Sequence, residues 1–131
     1  MPRVAAIFVN DTYDERGDGE FEGSTLARIE ITRTFSGDVD GRSTAELMTV
    51  RSADGSAAYV AFDRVVATIG GKSGAFVFQH WGTITAEGGR IAGAVVPGSG
   101  TGELSGIEGE GTIRVDDEGT HTLELDYRLP G

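Results

Sequence analysis

Apolar and polar residues alternate in many short stretches of the chain, and glycine-containing turns separate these stretches. In residues 26–35, Ile29, Ile31, Arg33 and Phe35 fall on one face and mostly polar residues fall on the other. Alternation with a period of two is typical of a β-strand with one buried face. No window shows the three- and four-residue apolar spacing of an amphipathic helix. The pattern therefore predicts an all-β chain.

The same pattern predicts eight strands. They span residues 3–9, 26–35, 43–51, 57–69, 74–85, 90–96, 110–115 and 120–129. Many short strands separated by turns are typical of an antiparallel barrel or sandwich, and closure into a barrel removes the exposed sheet edges. We therefore expect residues 1–131 to form one domain, an eight-stranded antiparallel β-barrel of calycin-like appearance. The acidic, glycine-containing residues 10–25 are expected to form a loop near one mouth of the barrel.

Composition narrows the chemistry that this barrel can carry. Glycine accounts for 21 of the 131 residues, which fits many tight turns, and there is no cysteine. The lack of cysteine excludes a disulfide scaffold, a cysteine nucleophile and cysteine-based metal centres. The two histidines, His80 and His121, do not have the spacing of a metal site. We expect neither a metal nor a cofactor.

Charge narrows the range of partners. The chain has 11 Lys and Arg against 21 Asp and Glu, a formal net charge of −10. Nucleic acid and anionic membranes would be repelled by this charge, so neither is expected as a partner. No apolar run approaches the roughly 18 residues of a membrane span, and the apolar N-terminal run is too short for a signal peptide. We expect a cytoplasmic protein.

Two glycine-containing segments resemble nucleotide-binding motifs without matching them. Gly71-Lys72-Ser73 copies the end of a phosphate-binding loop, but Val66 stands where the first glycine is required. Residues 98–103 resemble a dinucleotide fingerprint, but Glu103 stands where the third glycine is required. Both segments are interpreted as turns or crossovers of the barrel.

His80 is the candidate for acid–base chemistry. Alternation in residues 75–84 places it with Phe76 and Phe78 on the more apolar face, which we assign to the interior. A histidine in an apolar lumen can act as a general acid–base, and the two phenylalanines would line the cavity. The alternative is a structural histidine held by a carboxylate or a backbone carbonyl. Trp81 falls on the outer face.

Either Asp63 or Arg64 enters the lumen from the strand at residues 57–67, depending on which face points inward. The face that carries Asp63 also carries Tyr59 and small alanines, which would leave room for a ligand. This favours Asp63 as the partner of His80 and Tyr59 as a substrate-binding residue.

Two glutamates are further candidates. Glu103 could orient His80 as Asp63 could, and Glu46 could contact the substrate. Glutamate is more often a surface residue, and Glu46 shares its face with Met48 and Val50.

From residue 28 onward the chain resembles a bacterial domain-of-unknown-function family. The matching segments are residues 32–38, 62–64, 71–74, 78–80, 95–104, 106–111 and 125–127. The family is similar in fold to plant allene oxide cyclase, an eight-stranded antiparallel barrel. The resemblance implies a barrel whose relatives include cofactor-free cyclases and isomerases, and it allows a homodimer or homotrimer, with Trp81 and Val77 as candidate interface residues.

These observations lead to three hypotheses. The first is a cofactor-independent isomerase or cyclase that acts on a hydrophobic small molecule, such as a polyketide, terpenoid or oxidised lipid, inside the lumen. The second is a non-catalytic, lipocalin-like binding protein that uses the same lumen. The third is a filled barrel that acts through its outer surface. Because enclosed ligand sites usually exceed roughly 300 Å³, a cavity well below that volume would remove the first two hypotheses and leave the third.

Overall fold

The computed structural model describes residues 2–130, which form nine strands. They are β1 (Arg3–Phe21), β2 (Ser24–Gly37), β3 (Val39–Arg51), β4 (Ala57–Ile69), β5 (Lys72–Thr85), β6 (Gly88–Val95), β7 (Thr101–Gly102), β8 (Glu108–Val115) and β9 (His121–Arg128). The part of the chain that the structure describes has no helix long and apolar enough to cross a membrane.

Eight of the strands close into an antiparallel barrel. The order of neighbours is β4-β3-β2-β1-β9-β8-β6-β5, and the pairing of β4 with β5 completes the ring. The two-residue strand β7 lies outside the ring and pairs with Gly74 and Ala75 of β5. The predicted fold class, an all-β, eight-stranded antiparallel barrel, is confirmed.

The prediction of a loop at residues 10–25 is wrong. β1 continues to Phe21 and pairs with β2 from Ala6 to Phe21, and the chain turns only at Glu22 and Gly23. Beyond Phe8, β1 has no pairing with β9. Its residues there are almost all exposed, so they need no apolar face and show no alternation. Shifts of register, as at a β-bulge, further obscure the period.

The interior face of β4 is the one that carries Asp63. Burial alternates along this strand, so that Ala61, Asp63 and Val65 are buried while Phe62 and Arg64 are exposed. The preference for Asp63 over Arg64 is therefore confirmed. The same alternation buries Phe76, Phe78 and His80 on β5 and leaves Trp81 on the outer surface.

The barrel is closed at one end and open at the other. The closed end, at the β2–β3 and β4–β5 turns, is sealed by the segment between β6 and β8, whose Leu104 and Ile107 are buried. The open end, at the turns that follow β3 and β5, has a mouth lined by half-buried and exposed side chains. The lumen is therefore accessible from one side only.

Candidate functional site

Five polar side chains converge in the lumen between the core and the mouth. Arg33 of β2, Ser43 of β3, Asp63 of β4 and His80 of β5 are buried, and Tyr59 of β4 is half-buried on the mouth side. We call these five residues the lumen network. They come from four adjacent strands, and their positions alternate with apolar inward-facing residues.

Asp63 is the centre of the lumen network. Its Oδ2 lies 2.5 Å from Nε2 of His80 and 3.5 Å from NH1 of Arg33. The hydroxyl of Ser43 donates a hydrogen bond of 2.7 Å to Oδ1. Both carboxylate oxygens are therefore occupied by donors.

These donors keep Asp63 ionised. Burial by itself raises the pKa of this carboxyl, but the hydrogen bond from His80 and the charge of Arg33 outweigh it, with a smaller contribution from Ser43. The pKa of Asp63 is therefore below its usual value. An aspartate anion lies in the middle of an apolar barrel.

Tyr59 links the buried anion to the mouth. Its hydroxyl oxygen lies 2.7 Å from Nδ1 of His80, on the opposite side of the imidazole ring from Asp63. Burial raises the pKa of Tyr59 to about 12, so the phenol keeps its proton at neutral pH. Tyr59, His80 and Asp63 thus form a continuous hydrogen-bonded chain.

Glycines on neighbouring strands make room for the two rings of this chain. A Cβ atom at Gly82 would lie 2.7 Å from Cε1 of Tyr59, and one at Gly93 would lie 2.7 Å from Cβ of His80. The His80 ring also stacks on Phe78, with ring centroids 5.5 Å apart. Close packing holds the imidazole in one position.

The guanidinium of Arg33 is buried beside the hydrogen-bonded chain of Tyr59, His80 and Asp63. It lies over the ring of Phe8, 5.0 Å from the centroid, in a cation–π arrangement. Its Nε has no hydrogen-bond partner among the residues that the structure describes. Arg33 therefore contributes charge to Asp63 without being fully hydrogen-bonded.

The lumen around Asp63 is nearly full. The space between Arg33, Asp63, Phe76 and Phe78 amounts to about 10 Å³, room for roughly one water molecule. The side chain of His80 is 1% exposed. No ligand of useful size can touch His80 or Asp63 in this state, so Phe76 and Phe78 pack the core and do not line an open ligand cavity. The expectation of a ligand inside the lumen is therefore wrong. The lumen is filled, as the third hypothesis expects, and a ligand site of the first two hypotheses would have to lie outside it.

A larger cavity lies at the open end, directly above the lumen network. It has a volume of about 190 Å³, below the usual 300–1,000 Å³ of ligand sites. Its lining combines apolar side chains with Tyr59 and, from the end of β3, Arg51; the inward-facing apolar residues are Ile29, Leu47, Ala57, Ile84 and Ile91. We call this space the mouth cavity.

A more open groove of about 560 Å³ runs over the outer surface of β2, β3 and β4. Its lining includes Tyr59 and outward-facing side chains such as Met48 and Val60. The Tyr59 ring itself points inward, because its hydroxyl lies 2.7 Å from Nδ1 of the buried His80. We therefore place the candidate site in the mouth cavity, where the inward-facing side chain of Tyr59 lies.

Two of the predicted site residues lie away from the lumen. Glu103 is exposed at the closed end and accepts a hydrogen bond from the backbone N–H of Ser73, roughly 20 Å along β5 from His80. Glu46 is exposed on the outer face, 3.9 Å from Arg64. The expectation that these glutamates face the site is wrong, because the segment after β7 and the alternation in β3 direct them outward.

Sequence reasoning missed Arg33 and Ser43. Arg33 had a signal, since it interrupts an otherwise apolar face between Ile31 and Phe35. A charged residue at such a position needs a buried partner of opposite charge. Nothing in the sequence around Ser43 indicates that it faces Asp63.

Among residues 2–130, no group of three or more His, Asp or Glu side chains is arranged to hold a metal ion.

The fold and the site define a class of protein: a small closed antiparallel barrel with an ionised, hydrogen-bonded cluster in its lumen and an apolar cavity at one mouth. The chain belongs to the family described as protein of unknown function DUF3224, whose model matches residues 7–127. A crystal structure of a DUF3224 family protein of unknown function from Shewanella oneidensis MR-1 is similar to it, with 33% sequence identity and a TM-score of 0.91. The match covers 100% of this chain and 98% of that one. A search of curated proteins finds no match.

Proposed function

We propose that the protein is a cofactor-independent isomerase that moves a proton within a small, mainly apolar substrate bound in the mouth cavity. The observation that supports this is the chain from the mouth cavity to the buried anion. In it, Tyr59 Oη is 2.7 Å from His80 Nδ1, and His80 Nε2 is 2.5 Å from Asp63 Oδ2. Such a chain resembles the logic of a serine triad, with tyrosine in the place of serine.

The hydrogen-bonded chain of Tyr59, His80 and Asp63 can pass a proton in both directions. With His80 neutral and Nε2–H donated to the Asp63 carboxylate, Nδ1 accepts the hydroxyl proton of Tyr59. When Tyr59 Oη takes a proton from a substrate carbon next to a carbonyl, its own proton moves to Nδ1, and Asp63 stabilises the resulting imidazolium. Return of the proton to a different carbon gives the isomer and restores every group.

This coupling fits the pKa of Tyr59. A free phenolate is costly at a site where the phenol has a pKa of about 12. Transfer of the Tyr59 proton to His80 as the substrate proton arrives avoids that phenolate. Tyr59 is then the catalytic residue, and His80 and Asp63 are positioning residues that act through it.

The size of the mouth cavity narrows the substrate. An apolar cavity of 150 Å³ holds benzene, so 190 Å³ suits on the order of ten heavy atoms. Polyketides and oxidised fatty acids are larger than this. The proposal is therefore for a small ring or a short branched chain.

The second candidate is a non-catalytic binding protein that uses the same mouth cavity. It is favoured by the burial of His80 and Asp63, since a charged cluster sealed from solvent can serve the barrel as structure alone.

A turnover assay separates the two candidates. We would incubate the protein with a β,γ-unsaturated cyclohexenone, which has seven heavy atoms, and follow the ultraviolet absorbance of the conjugated isomer. The wild-type protein and a Tyr127→Phe control should accelerate the reaction, and Tyr59→Phe should lose about 100-fold or more of the rate. Binding of the ketone without any acceleration would leave the binding-protein candidate, and equal rates for wild type and Tyr59→Phe would refute the proton transfer.

A further inference from the structure

Arg51 is the one charged residue among the described residues that line the mouth cavity. It is the last residue of β3, and in the register it lies opposite Ala57 of β4. Both residues line the mouth cavity, as does Tyr59. Every other lining residue that the structure describes is apolar, glycine, or carries only a hydroxyl. A purely apolar ligand would offer this guanidinium neither a hydrogen-bond acceptor nor an opposite charge, and a cationic ligand would be repelled by it.

The guanidinium of Arg51 is available to a ligand. Among residues 2–130, its one side-chain hydrogen bond is a long one of 3.4 Å from NH1 to the carbonyl oxygen of Gly55. Within the described chain, no carboxylate lies at ion-pair distance from it, although the protein has 21 Asp and Glu. By contrast, Arg3 and Arg114 are each paired with an acidic residue 2.7 Å away. The donors of Arg51 are thus mostly free to bind an anion, and a guanidinium matches the geometry of a carboxylate.

The register places Arg51 within one small molecule of Tyr59. Tyr59 lies opposite Thr49, and Arg51 lies opposite Ala57, so the two residues are diagonal neighbours on the same face of the β3–β4 pair. Diagonal neighbours are about 7–8 Å apart. A ligand of on the order of ten heavy atoms can therefore contact Arg51 at one end and Tyr59 at the other.

We infer that the substrate of this site is a small, mainly apolar monocarboxylate that also carries a carbonyl group, with its carboxylate bound by Arg51 and the carbon next to its carbonyl at Tyr59. This inference rests on the proposed function and names the class of its substrate. The apolar side chains between the two residues would bind the body of the molecule. The overall negative charge of the protein slows the approach of an anion but does not alter the contact at Arg51.

A matched pair of probes tests the inference. Phenylacetate and phenylacetamide have the same size and shape and differ in charge, and their binding can be followed by NMR titration at low salt. The wild type should bind phenylacetate at least about tenfold more tightly than phenylacetamide, with the largest shifts at Tyr59, Leu47 and Ile84. Arg51→Gln should abolish that preference. Arg90→Gln, which removes a charge from an exposed arginine outside the mouth cavity, should preserve it.

The outcomes separate this inference from the proposed function. If both probes bind equally in the wild type, or if Arg51→Gln keeps the preference for phenylacetate, the carboxylate assignment is overturned. Acceleration of the neutral cyclohexenone by the wild type would then still support the proposed function. If neither probe shifts the residues that line the mouth cavity, the carboxylate assignment is overturned as well, and if the cyclohexenone is also not turned over, both proposals fail.

Discussion

Asp63 carries a negative charge in the centre of an apolar barrel, and the side chains that contact its carboxylate stabilise that charge. A buried ion costs several kcal/mol unless it is paired and hydrogen-bonded. Arg33, Ser43 and His80 supply the pairing, and all of them are buried with it. The lumen network is therefore a unit in which the loss of one member leaves another unsatisfied.

We expect Asp63→Asn to destabilise the protein by about 3–5 kcal/mol, because it leaves the buried guanidinium of Arg33 without a counter-charge. The measurement is the free energy of unfolding in urea. Glu46→Gln is the matched control, since that carboxylate is exposed and its ion pair with Arg64 is worth at most about 1 kcal/mol. Similar losses for the two variants would show that Asp63 is not ionised in the folded state.

Tyr59 should make stability depend on pH in alkali. Its pKa of about 12 in the folded protein lies above the ordinary value of 10.0. The folded state therefore holds this proton after the unfolded chain has lost it, and the contribution of Tyr59 to stability, intact below pH 10, is lost as the pH rises from about 10 to about 12. Unfolding midpoints in urea should fall over this range in the wild type, and less so in Tyr59→Phe. Identical pH profiles would contradict the burial of this phenol.

At the scale of the strands, the alternation of apolar and polar residues predicted which face of a strand is buried, but it did not predict which side chains of neighbouring strands are in contact. β4 was predicted with its observed bounds because it has a partner on both sides and a continuous apolar face. The outer half of β1 was missed because it is paired on one side and mostly exposed. Alternation could place Asp63, Tyr59 and His80 inward, but the Tyr59–His80 hydrogen bond depends on the β4–β5 register, in which Ala61 lies opposite His80. The two-residue Gly70-Gly71 turn sets that register by pairing Ile69 with Lys72. The predicted strand begins only at residue 74, so the length of this turn was not predicted.

Gly93 is the most tightly packed glycine of β6. A Cβ atom there would overlap the backbone oxygen of Gln79 and lie 2.7 Å from Cβ of His80. We expect Gly93→Ala to cost about 1–3 kcal/mol of stability through overpacking. Gly19→Ala is the control in β1, where an added Cβ meets nothing within 4 Å. If both substitutions have the same effect in thermal unfolding, Gly93 is not required for packing around His80.

At the scale of the whole molecule, the outer surface offers a row of apolar side chains. Met48, Val60 and Trp81 lie opposite one another on β3, β4 and β5, and all are exposed. The homodimer or homotrimer that the family resemblance allows remains a prediction. If this row forms its interface, sedimentation should show an oligomer for the wild type and a monomer for Trp81→Glu. An unchanged sedimentation coefficient for the variant would exclude Trp81 from the interface.

The two ends of the barrel differ: the closed end is packed core, and at the open end Tyr59 lines a small cavity. Between them, His80 is too deeply buried to meet a ligand and is in direct contact with a residue that can. In the proposed mechanism, His80 acts on the substrate through Tyr59.

The effect of His80→Gln on the kinetics of cyclohexenone isomerisation tests this claim most directly. In the proposed mechanism His80 accepts the proton of Tyr59 and does not touch the substrate, so kcat should fall by about 100-fold or more while KM stays near the wild-type value. His121→Gln, which changes the other histidine, should leave both parameters unchanged. A folded His80→Gln variant with wild-type kcat would contradict the account and leave the lumen network as a structural feature of the barrel.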